Sequence, residues 1–209
     1  MTNAAFPVAL SVRDRRCVIV APPDDAEMHE REARLRAAGA RLERLFAANE
    51  IDAYDLTGAF LVIARLDEAR SAAKLFERSQ RERFLLCCID KPAFSSISMM
   101  AAASAGPVTI SVSTGGSAPR IAKLLRVALQ RAMDENFKQF TESVARFRQE
   151  VHREYPGPDN ASRRIAAVLE RVRGFRADVR LSYPRWFTEA CEPEDTGTPE
   201  LQPVRGYGR

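Results

Sequence analysis

At 209 residues the chain has room for one sizeable domain with an appended segment, or for two small domains. Apolar residues make up 45% of it and charged residues 29%, ordinary globular usage that excludes a wholly disordered or membrane-embedded protein. The formal charge of +4 is dispersed, because Arg alternates with Glu in runs such as HEREARLR and FERSQRERF. Solvated helix faces account for that pattern, so neither nucleic acid nor a membrane is an expected partner.

No run approaches the roughly 18 apolar residues of a spanning helix, and the N-terminal stretch meets charge before a signal core could form. A cytoplasmic location is expected. The four cysteines, Cys17, Cys87, Cys88 and Cys191, have no metal-type spacing, and Cys87 and Cys88 in a strand would point to opposite faces. His29 and His152 each stand in a charged helical context, so a resident zinc site is not expected.

In chain order, RRCVIVA (15–21) reads as a buried strand, and APPDD (21–25) as the turn that follows it. DDAEMHEREARLRAAGA (24–40) is a helix with acid in its first turn and Gly39 at its stop. ARLERLFA (40–47) and AFLVIARL (59–66) are further strands, DEARSAAKLFERSQRE (67–82) is a helix, and RFLLCCID (83–90) is a fourth strand ending at Asp90. Near-continuous apolar strands alternating with helices predict a Rossmann-like α/β domain with a parallel sheet covered on both faces. In such a sheet ligands meet the carboxyl ends of the strands.

PVTISVST (107–114) alternates like a half-buried strand. Gly115 and Gly116 then turn the chain, Ser117 is placed to cap a helix, and Pro119 suits its first turn. Ile121, Leu124, Leu125, Ala128 and Leu129 recur at helical spacing. NFKQFTESVARFRQEVHREY (136–155) and ASRRIAAVLERVRGFRADVRLSY (161–183), joined by PGPDN, predict a helical hairpin. The expected division is therefore a Rossmann-like domain over 1–105, a dimerisation segment over 106–135, a helical domain over 136–190 and a disordered tail over 191–209.

This order of segments, and above all Ser113-Thr114-Gly115-Gly116-Ser117-Ala118-Pro119 followed by Ala122 and Leu124-Leu125-Arg126, resembles the siroheme synthase family, in its precorrin-2 dehydrogenase and sirohydrochlorin ferrochelatase module. The resemblance spans about residues 6 to 130. It places a catalytic carboxylate at Asp90, within Cys87-Cys88-Ile89-Asp90-Lys91-Pro92, although Cys87 and Lys91 depart from the family's pattern. It also implies a homodimer, for which the apolar run 96–112 suits an interface, and an anionic tetrapyrrole as ligand. Ser113, Thr114, Gly115, Gly116 and Ser117, helped by Arg120, Lys123 and Arg126, would receive its carboxylate arms. Asp90 would be a base for the pyrrole N–H protons or a transient ligand for an incoming divalent metal, Fe²⁺ or Co²⁺, which is a substrate. Read without the resemblance, Asp90 could equally cap the turn before Pro92.

The family's glycine-rich dinucleotide turn is absent. Ala21, Pro22, Pro23, Asp24 and Asp25 stand in its place, removing two backbone donors and adding like charge where a pyrophosphate would lie. Ala47 and Ala48, after the second strand, offer no side-chain hydrogen bonds to a nucleotide. NAD is therefore not expected to bind, and metal insertion is the activity expected. A non-catalytic tetrapyrrole carrier or regulator, and a dehydrogenase with an unusual NAD mode, stay open as alternatives.

Overall fold

The computed structural model describes residues 6–47 and 49–190, so Ala48, Cys191 and the segment 191–209, read above as a disordered tail, lie outside it. Four strands form one parallel sheet in the order β2-β1-β3-β4: β1 (Arg16–Val20), β2 (Arg41–Leu45), β3 (Leu61–Ala64) and β4 (Leu85–Cys88). β1, β3 and β4 alternate their side chains between two cores. Val18, Val20, Val62, Ala64, Leu86 and Cys88 face one cluster, and Cys17, Ile19, Leu61, Ile63 and Cys87 face the other. The adjacent cysteines thus point to opposite sides of the sheet, as a period of two requires.

Helix α1 (Ala26–Ala37) follows β1 and buries Met28 and Leu35. It ends as the sequence predicts: Gly39 adopts φ +83°, its amide donates to the Arg36 carbonyl, and the Ala40 amide donates to the Leu35 carbonyl. A short α2 (Glu50–Ala53), not anticipated from the sequence, precedes β3 and seats Ile51 in the core. Helix α3 (Ala69–Glu82) buries Ala72, Leu75 and Ser79.

Beyond β4 the chain forms an antiparallel hairpin of β5 (Ala101–Ala105) and β6 (Val108–Val112). β5 carries an alanine run with little strand propensity, and the hairpin partner and α4 (Pro119–Ala132) supply what local preference does not. Gln130 on α4 pairs with β5 like a further strand residue, donating to the Ser104 carbonyl at 3.0 Å and accepting the Ser104 amide at 3.1 Å. Gly106 turns the hairpin at φ +55°, where a Cβ would come within 3.3 Å of Lys138 and Glu142 on α5 (Glu135–Glu154).

The described residues up to Ala145 form one compact unit and those from Arg146 a second. In the second, Arg164 donates to the carbonyls of Tyr155 and Gly157 at 2.7 and 2.5 Å, closing the PGPDN turn ahead of α6 (Ala161–Arg171). Arg171 stacks on Phe147. The helix expected to reach Tyr183 stops at Arg171, because Gly174 takes φ +87° and breaks the register. The chain is helical again only in α7 (Arg185–Ala190).

Candidate active site at the carboxyl edge of the sheet

Since β1, β3 and β4 are neighbours, the residues that leave them lie side by side at one edge. The backbone continues the ladder there, with Arg65 N–H donating to the Val20 carbonyl at 2.8 Å and Ile89 N–H to the Ala64 carbonyl at 2.9 Å. This brings the 21–25 elbow, Arg65 and Asp90 together.

The elbow is closed from within. The Asp25 amide donates to the Pro22 carbonyl at 3.3 Å, and the Asp25 carboxylate caps α1 by accepting the Met28 amide at 3.0 Å. Of the two elbow aspartates only Asp24 is exposed; Asp25 occupies the helix N-terminus that a pyrophosphate would use. Arg44, from β2, holds the elbow's outer side through the Pro22 carbonyl at 2.8 Å and the buried Glu32 carboxylate at 2.5 Å.

On the inner side Arg65 uses all three of its guanidinium nitrogens. Nε donates to Asp25, Nη2 to Glu27, and Nη1 reaches Asp90 Oδ2 at 3.4 Å. Burial alone would push the Asp25 carboxyl up, but the Met28 amide and Arg65 outweigh it and hold the group below the ordinary aspartate range. Burial pulls Arg65 down, and hydrogen bonds to Asp25 and Glu27 reverse that and raise it. Glu27 is held a second time by Arg31 at 2.7 Å. The residues present therefore do not fit a dinucleotide: the chain's own carboxylates take the helix N-terminus, and Arg65 is spent on them.

Asp90 differs from its neighbours. Its side chain is 87% exposed, and its backbone is left-handed at φ +59°, a conformation that costs a non-glycine residue about 1 kcal/mol or more. Capping of the turn before Pro92 falls to Ser95, whose Oγ accepts the Cys88 amide at 2.9 Å and donates to the Lys91 carbonyl at 3.1 Å. The Asp90 carboxylate is thus presented outward at the sheet edge. Among the described residues no group of three or more His, Cys, Asp or Glu side chains is arranged to hold a metal ion.

Ser113, Thr114, Gly115, Gly116 and Ser117 form the turn between β6 and α4, with Gly115 and Gly116 at φ +59° and +83°. Much of its hydrogen-bonding capacity is internal. Gly115 N–H donates to Ser113 Oγ at 3.2 Å, and the Ser117 hydroxyl donates to the Thr114 carbonyl at 2.5 Å. Ser117 does not cap α4, as its sequence position suggests; Ala118 is the cap residue, and Thr114 Oγ1 accepts the Ala118 amide at 3.3 Å. Arg120 and Lys123 are exposed on the first turns of α4. No hydrogen bond or ion pair among the described residues joins this turn to Asp90.

The sequence reading passed over Arg65, Arg44 and Glu27. Arg65 carried a signal, a charge placed directly after the wholly buried run Leu61–Ala64, where a strand's carboxyl end emerges.

A family profile described as "Sirohaem biosynthesis protein central" matches residues 106–132. The chain is 33% identical over 128 residues to a siroheme synthase of Pseudomonas fluorescens, covering 61% of this chain and 27% of that protein. It is 25% identical over 192 residues to a siroheme synthase of Xylella fastidiosa, covering 81% and 40%. In fold it is similar to a solved structure titled "SirC, precorrin-2 dehydrogenase", with TM-score 0.56 and 19% identity over 81% of this chain and 90% of that one. The chain thus matches less than half the length of these siroheme synthases. Strand order, the Ser113–Pro119 turn and these likenesses together make the chain similar to the siroheme synthase family, in sequence over part of those proteins and in fold to the precorrin-2 dehydrogenase structure.

Proposed function

We propose that the chain is a metal-inserting enzyme of the siroheme branch, a chelatase acting on a sirohydrochlorin-type tetrapyrrole without NAD-dependent dehydrogenation. The observation that carries this reading is the Arg65-locked acidic elbow, which leaves Asp90 as the outward-facing acid at an edge otherwise closed to a dinucleotide.

In the proposed reaction a divalent ion, Fe²⁺ or Co²⁺, replaces two pyrrole N–H protons of the macrocycle, so two protons leave for each metal bound. Asp90 accepts a proton from the ring and, being exposed, hands it to water before accepting the next. It is also placed to hold the entering ion transiently. The acidic arms of the macrocycle would lie against the Ser113–Ser117 turn, with Arg120 and Lys123 as counter-ions. The exposed apolar side chains Met99, Ile121 and Leu124 support a homodimer as the working state.

The test is to mix sirohydrochlorin with Co²⁺ or Fe²⁺ and follow the visible spectrum with wild type and Asp90→Ala. A loss of about a hundredfold or more in rate is expected for the variant. Tight pigment binding with no acceleration over buffer would replace this reading with that of a carrier. A rise at 340 nm on adding precorrin-2 and NAD would replace it with that of a dehydrogenase.

A further inference from the structure

Asp90 is the acid assigned to proton transfer, yet it stands on a strained residue with its side chain 87% exposed. A long-lived orientation toward substrate needs a partner. Among the described residues that partner is Arg65, through Nη1 to Oδ2 at 3.4 Å. Arg65 is itself held by Asp25, the N-cap of α1, and by Glu27 in the first turn of the same helix. Asp25 and Glu27 are anchored in turn, by the Met28 amide and by Arg31.

We propose that Arg65 is a positioning residue for Asp90, conveying the rigidity of the elbow and of the α1 N-terminus to a carboxylate that would otherwise sample many rotamers. This rests on the reading of Asp90 as the base. Solvent screens an ion pair so exposed, so the contribution lies in orientation rather than in Coulombic energy. The pair engages Oδ2, so Oδ1 is the oxygen that would meet a substrate. One consequence distinguishes this from ordinary structural support: Asp25 and Glu27, which would touch no substrate, influence turnover only through Arg65.

The test is steady-state Co²⁺ insertion into sirohydrochlorin by the full chain, comparing wild type, Arg65→Met, Arg65→Lys, Asp25→Asn, the Asp25→Asn/Arg65→Met double variant and Asp90→Ala. Arg65→Met is expected to lower kcat about tenfold with KM for the tetrapyrrole within twofold. Arg65→Lys, which keeps one donor, is expected to recover part of the loss. Asp25→Asn should cost a few-fold in kcat alone and nothing further on top of Arg65→Met. Glu27→Gln, which removes one arm from a half-exposed position, provides the same reading if Arg65→Met does not fold. Unchanged kcat in Arg65→Met, or in Glu27→Gln where Arg65→Met does not fold, or losses that multiply in the double variant, would overturn the proposal and leave Asp90's assignment standing. An Asp90→Ala variant as fast as wild type would overturn both.

Discussion

Arg44, on the edge strand β2, donates to the main-chain carbonyl of Pro22 across the mouth of β1 at 2.8 Å. A side chain from a neighbouring strand therefore holds the elbow by its backbone, so its shape does not depend on proline stiffness alone. Replacing Pro22 and Pro23 by glycine restores flexibility and one property of a dinucleotide turn, but it leaves Arg44, Asp25 and Arg65 where they are. NAD titrated into wild type or into the Pro22→Gly/Pro23→Gly variant should give no saturable signal up to millimolar concentration by calorimetry. A dissociation constant in the micromolar range for wild type would show that the elbow admits a dinucleotide after all.

Asp90 places stability and function in opposition. Glycine adopts φ near +60° without strain, and among the described residues the only ion pair it would sacrifice is the exposed 3.4 Å contact with Arg65. Asp90→Gly is expected to raise unfolding stability by about 0.5–1 kcal/mol in urea denaturation while removing metal insertion. A destabilised glycine variant would mean that the backbone at this position is not strained in solution.

The parts of this molecule that could be read from the sequence are those where local pattern and tertiary need coincide. The buried strands around Val18, Val62 and Leu86, the stop at Gly39 and the strand end ahead of Asp90 all follow from hydrophobic runs and turn chemistry, whereas the outward side chain of Asp90 does not, since the same turn chemistry allows it to be a cap. β5 was not readable, because Ala101–Ala105 is chosen by its partner strand and by Gln130 rather than by its own propensity. The helix predicted to Tyr183 overran because its charge and apolar pattern outweighed a single glycine in the reading, whereas in the fold Gly174 ends it. The Arg65 clamp joins residues 25, 27, 65 and 90, and a relationship so distant in the chain becomes visible only when the strand order is known.

Cys17, Cys87 and Cys88 are all buried, and burial pushes each thiol up, Cys88 to about 11. The thiolate is the reacting form, so the native protein should leave these three unmodified by iodoacetamide at pH 8 over minutes and take up label on all three in guanidinium. Mass mapping of the labelled peptides checks this. Native labelling at Cys87 would indicate that the segment following β4 opens readily.

Acid should act on the two ends of the sheet through carboxylates that the fold holds ionised. At the amino end Glu43 is lowered by hydrogen bonds from Arg16 and from Tyr54, whose hydroxyl lies 2.5 Å away, and Arg16 also donates to the carbonyls of Asp55 and Thr57 at 2.8 Å. At the carboxyl end Asp25 is lowered as described above. A carboxyl whose folded pKa lies below its unfolded value, about 4, stabilises the protein fully above that value and ceases to do so as pH falls through the folded one. Wild-type stability should therefore be flat from pH 7 to about 5 and fall steeply below about 4. Glu43→Gln leaves the Arg16 fork partly unmatched and is expected to cost about 1–2 kcal/mol at pH 7. It and Asp25→Asn should each make the decline below pH 4 shallower, because the titrating group has been removed. Urea midpoints at pH 7, 5, 4 and 3 measure this, and variants that lose stability in acid as steeply as wild type would show that other carboxylates control the transition.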